Sequence, residues 1–339
     1  MEALKEARFY NFNQEGRIIC TLCPHRCSIA KGKTGVCRVR RHTGNQLTAE
    51  SYGLVSALNF DPVEKKPLYH FFPGQLVFSV GTIGCNLNCS FCQNCDISQI
   101  GIEDAPNLKR FTPEQVIDIS LTRPENIGLA FTYNEPSIWF EYVYDTAKQA
   151  KDRGLKTIMV SNGFIEEKPM EELLPLIDAF NIDLKAFSED FYRKVTGSRL
   201  APVKNRLRQI RKAGNHLEVT NLIIPTLNDN PAEFKEMIEW IVEELGPETV
   251  LHLSRYFPMN RMTLDSTPVQ KLLELYEIAN ERLNYVYMGN TQGLNEGRNT
   301  FCPDCGNLIV ERFSYNIETT GLTKEGKCSS CGRQIAVNH

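Results

Sequence analysis

Short apolar runs alternate with amphipathic stretches of helical period through the middle of the chain, from about Gln75 to Gly289. The apolar runs have the length of buried strands, and the stretches between them have the period of helices packed on a sheet. Such alternation is typical of a parallel sheet with helices on its outside. Seven strands are predicted, at Leu76–Val80, Gly128–Phe131, Thr157–Val160, Phe180–Ile182, Leu217–Thr220, Val250–Leu253 and Tyr285–Tyr287.

Capping residues mark the ends of several predicted helices. The segment Thr112–Gln115 combines an N-cap threonine, a proline at the first helical position and a capping-box glutamine. The segment Asn230–Glu233 predicts a second helix start, before Phe234–Leu245. Gly154 follows a predicted helix across Ile138–Arg153 and serves as its C-cap.

Six or seven strand–helix units predict an α/β fold with a partial or full TIM-like (β/α) barrel, and an open doubly wound sheet is the alternative. In a barrel, functional side chains lie on the loops that follow the strands. Polar residues do follow the predicted strands, which favours the barrel. They are the Cys85 loop, Asn134 and Glu135, Ser161–Gly163, Asp183 and Lys185, and Thr220 and Asn221, while His252 lies within the sixth strand.

Charge and length place further limits on the protein. The net charge of −3 does not favour a protein built around nucleic acid. We see no apolar segment of a secretory signal near Met1 and no stretch of membrane-spanning length, so we expect a cytoplasmic protein without a membrane partner. We predict an N-terminal cysteine-rich metal-binding module over residues 1–60, a core barrel over 61–299 and a zinc ribbon over 300–339.

Twelve cysteines fall into three closely spaced groups. In a chain without a secretory signal, such groups predict metal sites rather than disulfides. The groups are Cys20, Cys23, Cys27 and Cys37; Cys85, Cys89, Cys92 and Cys95; and Cys302, Cys305, Cys328 and Cys331.

The central group contains the spacing C-x3-C-x2-C at Cys85, Cys89 and Cys92. Three thiolates on one loop can bind three irons of a [4Fe–4S] cluster and leave the fourth iron open, as a catalytic metal site requires. A zinc knuckle is the weaker alternative, because no histidine lies nearby. Cys95 is either a fourth ligand or a free thiol, and we favour the free thiol.

This motif, with the aromatic Phe91 before its last cysteine, resembles the radical S-adenosylmethionine (SAM) superfamily. The resemblance implies that the amino and carboxylate groups of SAM chelate the open iron. It further implies that the reduced cluster cleaves SAM to a 5′-deoxyadenosyl radical, which abstracts a hydrogen atom from the substrate. A reductant such as ferredoxin or flavodoxin is the implied partner.

Within that superfamily, the motifs more closely resemble those of activating enzymes of the pyruvate formate-lyase type. Glu135 stands where those enzymes have the acid of Gly-Gly-Glu-Pro, Ser161–Gly163 resembles their ribose-contacting segment, and Asp183–Lys185 resembles their Asp-Leu-Lys segment. The implied SAM contacts are Phe91, Asn134, Glu135, Ser161, Asn162, Asp183, Lys185 and His252. Which residues are catalytic stays open at this point.

The chain departs from the activating-enzyme pattern at Gln93, Asn134 and Thr220, and Thr220 stands where an arginine often contacts the SAM carboxylate. His252 fits a buried core position about equally well. Further segments look like the AmmeMemoRadiSam-system radical SAM enzymes, which implies an association with AMMECR-like and Memo-like proteins but names no substrate. These segments are Cys20–Cys27, Gly35–Cys37, Pro62–Leu68, Ser254–Pro258 and Tyr287–Asn290.

The flanking cysteine groups predict closed metal sites. Cys302 and Cys305 form one C-x2-C-G knuckle, and Cys328 and Cys331 form another, which predicts Zn²⁺ in a ribbon; an iron site is the alternative. For Cys20, Cys23, Cys27 and Cys37, the spacing leaves open zinc or a second iron–sulfur cluster.

The sequence therefore predicts a radical SAM enzyme that abstracts hydrogen from a protein substrate, in the manner of a glycyl-radical activase. One alternative is the radical modification of a small metabolite or of RNA. The other is a non-catalytic metal-binding protein that carries electrons or acts as a scaffold.

Overall fold

The computed structural model describes residues 5–105, 107–291 and 293–337. Their strands are β1 Tyr10–Phe12, β2 Ile18–Cys20, β3 Ser28–Ile29, β4 Arg40–His42, β5 Leu47–Ala49, β6 Leu54–Val55, β7 Ala57–Pro62, β8 Leu76–Gly81, β9 Lys109–Arg110, β10 Asn126–Phe131, β11 Lys156–Ser161, β12 Ala179–Asp183, β13 His216–Ile223, β14 Val250–Arg255, β15 Val286–Gly289, β16 Thr300–Phe301, β17 Leu308–Phe313 and β18 Asn316–Glu318. The α-helices are α1 Cys95–Ser98, α2 Pro113–Ser120, α3 Phe140–Asp152, α4 Glu167–Leu173, α5 Glu189–Phe191, α6 Leu200–Ala213, α7 Pro231–Leu245 and α8 Val269–Asn280. Short 3-10 helices span Val63–Lys65, Ile102–Asp104 and Pro136–Trp139, and a π-helix spans Tyr192–Thr196.

The central sheet has eight strands in the order β7-β8-β10-β11-β12-β13-β14-β15. The seven strands from β8 to β15 are parallel and follow one another in chain order, whereas β7 pairs with β8 in the antiparallel sense. A doubly wound sheet reverses its strand order at a switch point, and this sheet does not. Because β7 and β15 are its two free edges in the described residues, the barrel is partial, and the predicted fold class is confirmed.

The predicted strands and caps are present. All seven parallel strands of the sheet overlap the segments expected from the apolar pattern. Thr112 and Gln115 form a reciprocal capping box, with N–O distances of 3.2 and 2.9 Å. The Asn230 side chain accepts bonds from the first turn of α7, and Gly154 follows α3 with a left-handed φ of 73°.

The N-terminal segment packs on the barrel through a buried ion pair. Arg40 of β4 lies 3.0 Å from Glu141 of α3, and each side chain is only 1% exposed. Glu141 also accepts a bond from the backbone N–H of Arg8. A buried pair with further hydrogen bonds is strongly destabilised when one partner is removed. The contact therefore fixes the N-terminal strands against the barrel helix.

The C-terminal strands β16–β18 pack against the last two barrel strands. The apolar side chains Ile309 and Val310 join the cluster that contains Val250 and Tyr287. Arg312 is 1% exposed and donates a hydrogen bond to the carbonyl oxygen of Tyr69. Its guanidinium lies 4.2 Å from the centroid of the Tyr69 ring. The C-terminal segment is thus anchored by a buried guanidinium as well as by apolar contact.

None of the helices in the described part of the chain has the length and apolar character needed to cross a bilayer. β7 spans the boundary that we predicted between residues 60 and 61, and the module boundaries stay predictions.

Candidate active site

A cavity of about 780 Å³ lies at the C-terminal ends of the parallel strands. Its volume is in the range of about 300–1,000 Å³ that is usual for small-ligand sites. The structure brings all three cysteines of the central motif to its wall. It also places there every side chain for which a SAM contact was expected: Phe91, Asn134, Glu135, Ser161, Asn162, Asp183, Lys185 and His252.

The loop that carries the three cysteines is held from several sides. Its start is fixed by a bond of 2.8 Å from the Gly84 N–H to the Ile97 carbonyl in α1. Its middle is fixed by bonds from the Asn88 N–H to the Thr196 carbonyl and from the Arg261 guanidinium to the Asn88 carbonyl, each 2.8 Å. A loop with so many backbone partners holds its thiols in place before any ligand binds.

The chemistry of the three thiols fits iron–sulfur ligation. Burial raises the pKa of Cys89 to about 11 and, with the nearby Glu135 carboxylate, raises the pKa of Cys85 well above its usual value. Metal binding must therefore displace protons from these thiols. The Leu87 N–H already points at the Cys85 sulfur at 3.4 Å, as a donor to a bound thiolate does.

Cys95 stands apart from the other three. It begins α1, its sulfur points at Asp96 Oδ1 at 3.7 Å, and it is not among the described residues that line the cavity.

Glu135 links two neighbouring strand ends. Its carboxylate is 1% exposed and accepts bonds from the Ser137 N–H at 2.9 Å and the Ser161 hydroxyl at 2.7 Å on one oxygen. The other oxygen accepts from the Asn162 N–H at 2.8 Å. A carboxylate offers about four acceptor sites, so one remains for a ligand. Burial raises the pKa of Glu135, and these hydrogen bonds oppose the rise.

Asn134 and Asn162 position the cysteine loop. The Asn134 amide donates to the Gly84 carbonyl at 2.8 Å and accepts from the Thr82 N–H at 3.2 Å. The Asn162 amide donates to Asn86 Oδ1 at 2.9 Å. Both amides therefore have hydrogen-bond partners within the protein. They stabilise the cysteine loop in addition to the expected contact with SAM.

Lys185 is a cation that lines the cavity together with the three cysteines. Its Nζ lies 2.7 Å from Asp183 Oδ2 and 5.7 Å from the centroid of Phe91. Burial opposes its charge, but Asp183 and the Cys89 sulfur raise the pKa of Lys185 above its usual value. The side chain is therefore protonated at neutral pH.

A buried carboxylate, Glu218 of β13, was missed by the sequence reasoning. Its carboxylate oxygens lie 2.6 Å from His252 Nε2 and 2.9 Å from His216 Nε2. They also accept hydrogen bonds from the backbone N–H groups of Tyr69 and His70. Burial alone would raise the pKa of Glu218, but the two imidazoles hold it well below its usual range. A glutamate between the apolar residues Leu217 and Val219 of a predicted buried strand was the available signal. His252 thus lines the cavity with one ring nitrogen already engaged.

The lining of the cavity includes a second polar group that sequence reasoning also missed. Lys66 lies 2.9 Å from Asp61, and the Tyr133 hydroxyl donates to the same carboxylate oxygen at 2.8 Å. Tyr315, from the turn between β17 and β18, also lines the cavity. The signal for Lys66 was the Pro62–Leu68 segment, which the resemblance singled out without assigning it a role.

Comparison with known proteins shows the family to which this chain belongs. The profile of the Radical SAM superfamily matches residues 79–241, which contain the cysteine loop and the strands β10 to β13. An uncharacterized protein of Methanocaldococcus jannaschii is 40% identical over 337 residues, covering 98% of this chain and 99% of that protein. The chain belongs to the radical SAM superfamily.

This radical SAM enzyme also resembles one curated protein and one solved structure over part of its length. The pyruvate formate-lyase-activating enzyme of Clostridium pasteurianum is 26% identical over 189 residues, covering 52% of this chain and 77% of that enzyme. The crystal structure of a radical SAM methyltransferase from Sphaerobacter thermophilus superposes with a TM-score of 0.51 at 13% identity, covering 66% of this chain and 68% of that one. The second likeness concerns the fold alone.

Membership of the radical SAM superfamily implies a [4Fe–4S] cluster and SAM. The residues present fit both groups, because three cavity-lining thiols stand beside a protonated lysine and a buried carboxylate with a free acceptor site.

The C-terminal cysteines of this radical SAM enzyme form a separate candidate metal centre. The sulfurs of Cys302, Cys305, Cys328 and Cys331 all lie within 4.8 Å of one another. Two of the separations, Cys302–Cys331 and Cys305–Cys328, are 3.5 and 3.6 Å. Four thiolates about 2.3 Å from one tetrahedral ion stand about 3.8 Å apart, so this group could bind a metal.

Proposed function

We propose that this enzyme binds its cluster through Cys85, Cys89 and Cys92, binds SAM in the adjoining cavity, and abstracts hydrogen from a polypeptide. When bound and reduced, the cluster supplies the electron that cleaves SAM to a 5′-deoxyadenosyl radical. The observation that carries the proposal is the meeting of all three thiols and all eight expected SAM contacts in one cavity.

The side chains of the cavity have separate tasks in this proposal. Lys185, held in a protonated state, offers its charge to the SAM carboxylate in place of the missing arginine at Thr220. The free acceptor site of Glu135 receives the SAM amino group. Asn134 and Asn162 hold the cysteine loop while SAM enters and leaves.

A polypeptide substrate is supported by the rim beside the cluster loop. The loop after β14 exposes Phe257 and Met259, which are 41% and 44% exposed. The same loop fixes the cysteine loop, because Asn260 Nδ2 donates to the Cys89 carbonyl at 3.1 Å. Exposed apolar side chains on a loop that contacts the cysteine loop are suited to contact with a protein. The relative named as an activating enzyme points to the same substrate class.

Deuterium transfer tests the substrate class. The reduced enzyme is incubated anaerobically with SAM and with a fully deuterated cell extract that has been separated into polypeptides and dialysable molecules. We expect deuterium in 5′-deoxyadenosine with the polypeptide fraction, and a protein-centred doublet in electron paramagnetic resonance if the product is a glycyl radical. Full transfer from the dialysable fraction, with no polypeptide present, would contradict the proposal.

A small-metabolite substrate is the second candidate, and the Asp61–Lys66–Tyr133 wall favours it. Lys66 is 2% exposed and Asp61 is 6% exposed, so the cavity presents a desolvated charge pair. Such a pair can orient a polar small molecule. In the deuterium experiment this candidate predicts transfer from the dialysable fraction alone.

We further propose that Cys302, Cys305, Cys328 and Cys331 hold zinc, since a closed four-thiolate ribbon needs no redox metal. One zinc per chain is expected after anaerobic purification, and it is expected to be lost in the double variant Cys305→Ser, Cys331→Ser. Both thiols are exposed, so the substitutions themselves remove little packing. Iron in place of zinc at this site would contradict the proposal.

A further inference from the structure

The N-terminal cysteine group lies in a strongly basic stretch of chain. Between Ile18 and Leu47 there are six Lys or Arg residues and no Asp or Glu. Three of the four thiols, those of Cys20, Cys23 and Cys37, are buried, and Cys27 is half-buried.

Backbone contacts join the segments of chain that carry the four cysteines. The Cys20 N–H donates to the Cys27 carbonyl at 3.0 Å across the β2–β3 pair. The segment Gly35–Cys37 folds back over this pair, because the Val36 N–H points at the Cys27 sulfur at 3.5 Å. Cys23 lies in the tight turn between β2 and β3. The chain segments that carry the four cysteines are thus in contact with one another.

The spacing of these sulfurs differs from that of the C-terminal ribbon. In the described ranges, the C-terminal group is the one set of three or more potential ligands whose atoms all lie within 4.8 Å of one another. The thiols of the N-terminal group are therefore less tightly gathered. One tetrahedral zinc requires sulfurs about 3.8 Å apart, whereas the thiolates of a [4Fe–4S] cluster bind separate irons and stand further from one another.

The N-terminal cysteine group lies directly against the cysteine loop of the cavity. A Cβ atom placed on Gly84, the residue before Cys85, would lie 2.4 Å from the Cys37 carbonyl oxygen. His25, between Cys23 and Cys27, lies 2.7 Å from the Asn86 carbonyl through its Nε2. Residues that adjoin ligands of one site are thus in contact with residues that adjoin ligands of the other.

We propose that Cys20, Cys23, Cys27 and Cys37 hold a second [4Fe–4S] cluster, which passes electrons to the catalytic cluster. The proposal rests on the function proposed above for Cys85, Cys89 and Cys92. A one-electron protein reductant of low potential gives one electron to the N-terminal cluster and is itself oxidised. The same electron moves to the catalytic cluster, and each SAM that is cleaved consumes one.

The surface around the N-terminal group fits an acidic reductant. Lys31 and Lys33 are exposed, and neither has an ion pair among the residues that the structure describes. Val36, which is 50% exposed, adds an apolar contact one residue from Cys37. Complementary charge around a small apolar centre speeds the encounter of proteins that exchange electrons. A flavodoxin or ferredoxin with an acidic face has this chemistry.

Iron and zinc counts test the cluster. The triple variant Cys85→Ala, Cys89→Ala, Cys92→Ala, prepared anaerobically and reconstituted with iron and sulfide, is expected to keep about half of the wild-type iron and the zinc of the C-terminal group. On reduction with dithionite it is expected to keep an electron paramagnetic resonance signal of a reduced cluster. Adding Cys27→Ser and Cys37→Ser is expected to abolish the remaining signal.

A triple variant that loses all its iron while carrying two zinc ions per chain would overturn the second cluster. That result leaves the proposed function intact, because it says nothing against a cluster at Cys85. Conversely, iron that is unchanged in the triple variant would count against the catalytic assignment instead.

Surface charge tests the electron route without touching a ligand. The double variant Lys31→Gln, Lys33→Gln is expected to raise the KM for flavodoxin at least several-fold, to leave kcat unchanged, and to leave turnover with dithionite at the wild-type rate. The control Lys324→Gln, in the C-terminal segment, is expected to leave both reductants unaffected. Equal KM values for flavodoxin in the wild type and the double variant would overturn the docking surface.

Discussion

Glu135 shows how one residue can serve both the fold and the chemistry of the site. It is the only carboxylate that bonds to Ser137, Ser161 and Asn162 in the described residues, and these donors belong to two different strand–loop junctions. An unpaired buried donor costs about 1–3 kcal/mol. A substitution that removes the carboxylate therefore acts on stability as well as on SAM binding.

We expect Glu135→Ala to lower the free energy of unfolding by at least about 2 kcal/mol, because three buried donors lose their acceptor. Glu135→Gln keeps the shape and one acceptor oxygen, so a smaller loss is expected. The control Glu236→Ala alters an exposed carboxylate and is expected to change stability by no more than about 0.5 kcal/mol. Anaerobic urea unfolding measures all three. Equal stabilities for Glu135→Ala and Glu236→Ala would show that the hydrogen bonds to Glu135 do not stabilise the fold.

Cys85 and Cys95 provide the second residue-scale test. Both are thiols on the same stretch of chain, but only Cys85 lines the cavity. We expect Cys85→Ala to lose the catalytic cluster and Cys95→Ala to keep it, as measured by iron per chain after anaerobic reconstitution. The reverse pattern would mean that the ligand assignment is wrong.

At the scale of elements, the contact between the N-terminal segment and the cysteine loop depends on the absence of a side chain at Gly84. This residue has a left-handed φ of 81°, and a Cβ there would collide with the Cys37 carbonyl. Gly16 has a similar φ of 72° but open space around it. The two glycines thus separate backbone strain from steric contact.

We expect Gly16→Ala to cost about 1 kcal/mol of stability, which is the strain of a left-handed residue. Gly84→Ala is expected to cost distinctly more and to lower the iron bound per chain, because the loop must move away from Cys37. Thermal unfolding and iron analysis measure the difference. If the two variants behave alike, the close approach is unimportant.

His70 joins the C-terminal segment to the barrel. Its Nδ1 lies 2.7 Å from the Ile335 carbonyl and its Nε2 lies 2.6 Å from the Tyr287 hydroxyl. Burial lowers the pKa of His70 to about 4, against the nearby Glu218 carboxylate and with the help of the Arg312 charge. The unfolded chain therefore binds a proton to this residue at higher pH than the folded chain does.

The contribution of neutral His70 to the free energy of unfolding is thus fully present above pH 6.5, and it is lost as the pH falls towards 4. Between pH 7.5 and pH 5 we expect it to account for a loss of about 2 kcal/mol. The variant His70→Gln is expected to show a pH dependence of unfolding that is flatter by that amount. Using the difference between the two proteins removes the acid sensitivity that they share. Parallel pH profiles would contradict a neutral buried His70.

At the scale of the whole molecule, the sequence was sufficient for the barrel and for the rim of the cavity. The apolar runs of β8 and β10–β15 are buried on both faces, so their local pattern already defines them. Polar residues directly after these strands, such as Asn162 and Lys185, could be placed at one edge because parallel strands end together.

Features that depend on distant parts of the chain were not predictable in this way. β7 spans Ala57–Pro62 and is largely unburied, so its sequence lacks the apolar run that identified the parallel strands. It nevertheless supplies Asp61 to the cavity. Tyr315 lines the same cavity from the C-terminal hairpin, although it follows Asp61 by more than two hundred residues in the sequence. No periodicity records such encounters, because they arise from packing between separate segments.

The most direct test of the account is the formation of 5′-deoxyadenosine from SAM by the anaerobically reduced protein. The wild type is expected to form it, together with an equal amount of methionine if SAM is consumed. The triple variant Cys85→Ala, Cys89→Ala, Cys92→Ala is expected to form none, while Cys95→Ala is expected to match the wild type. Undiminished 5′-deoxyadenosine from the triple variant would contradict the placement of radical chemistry in this cavity.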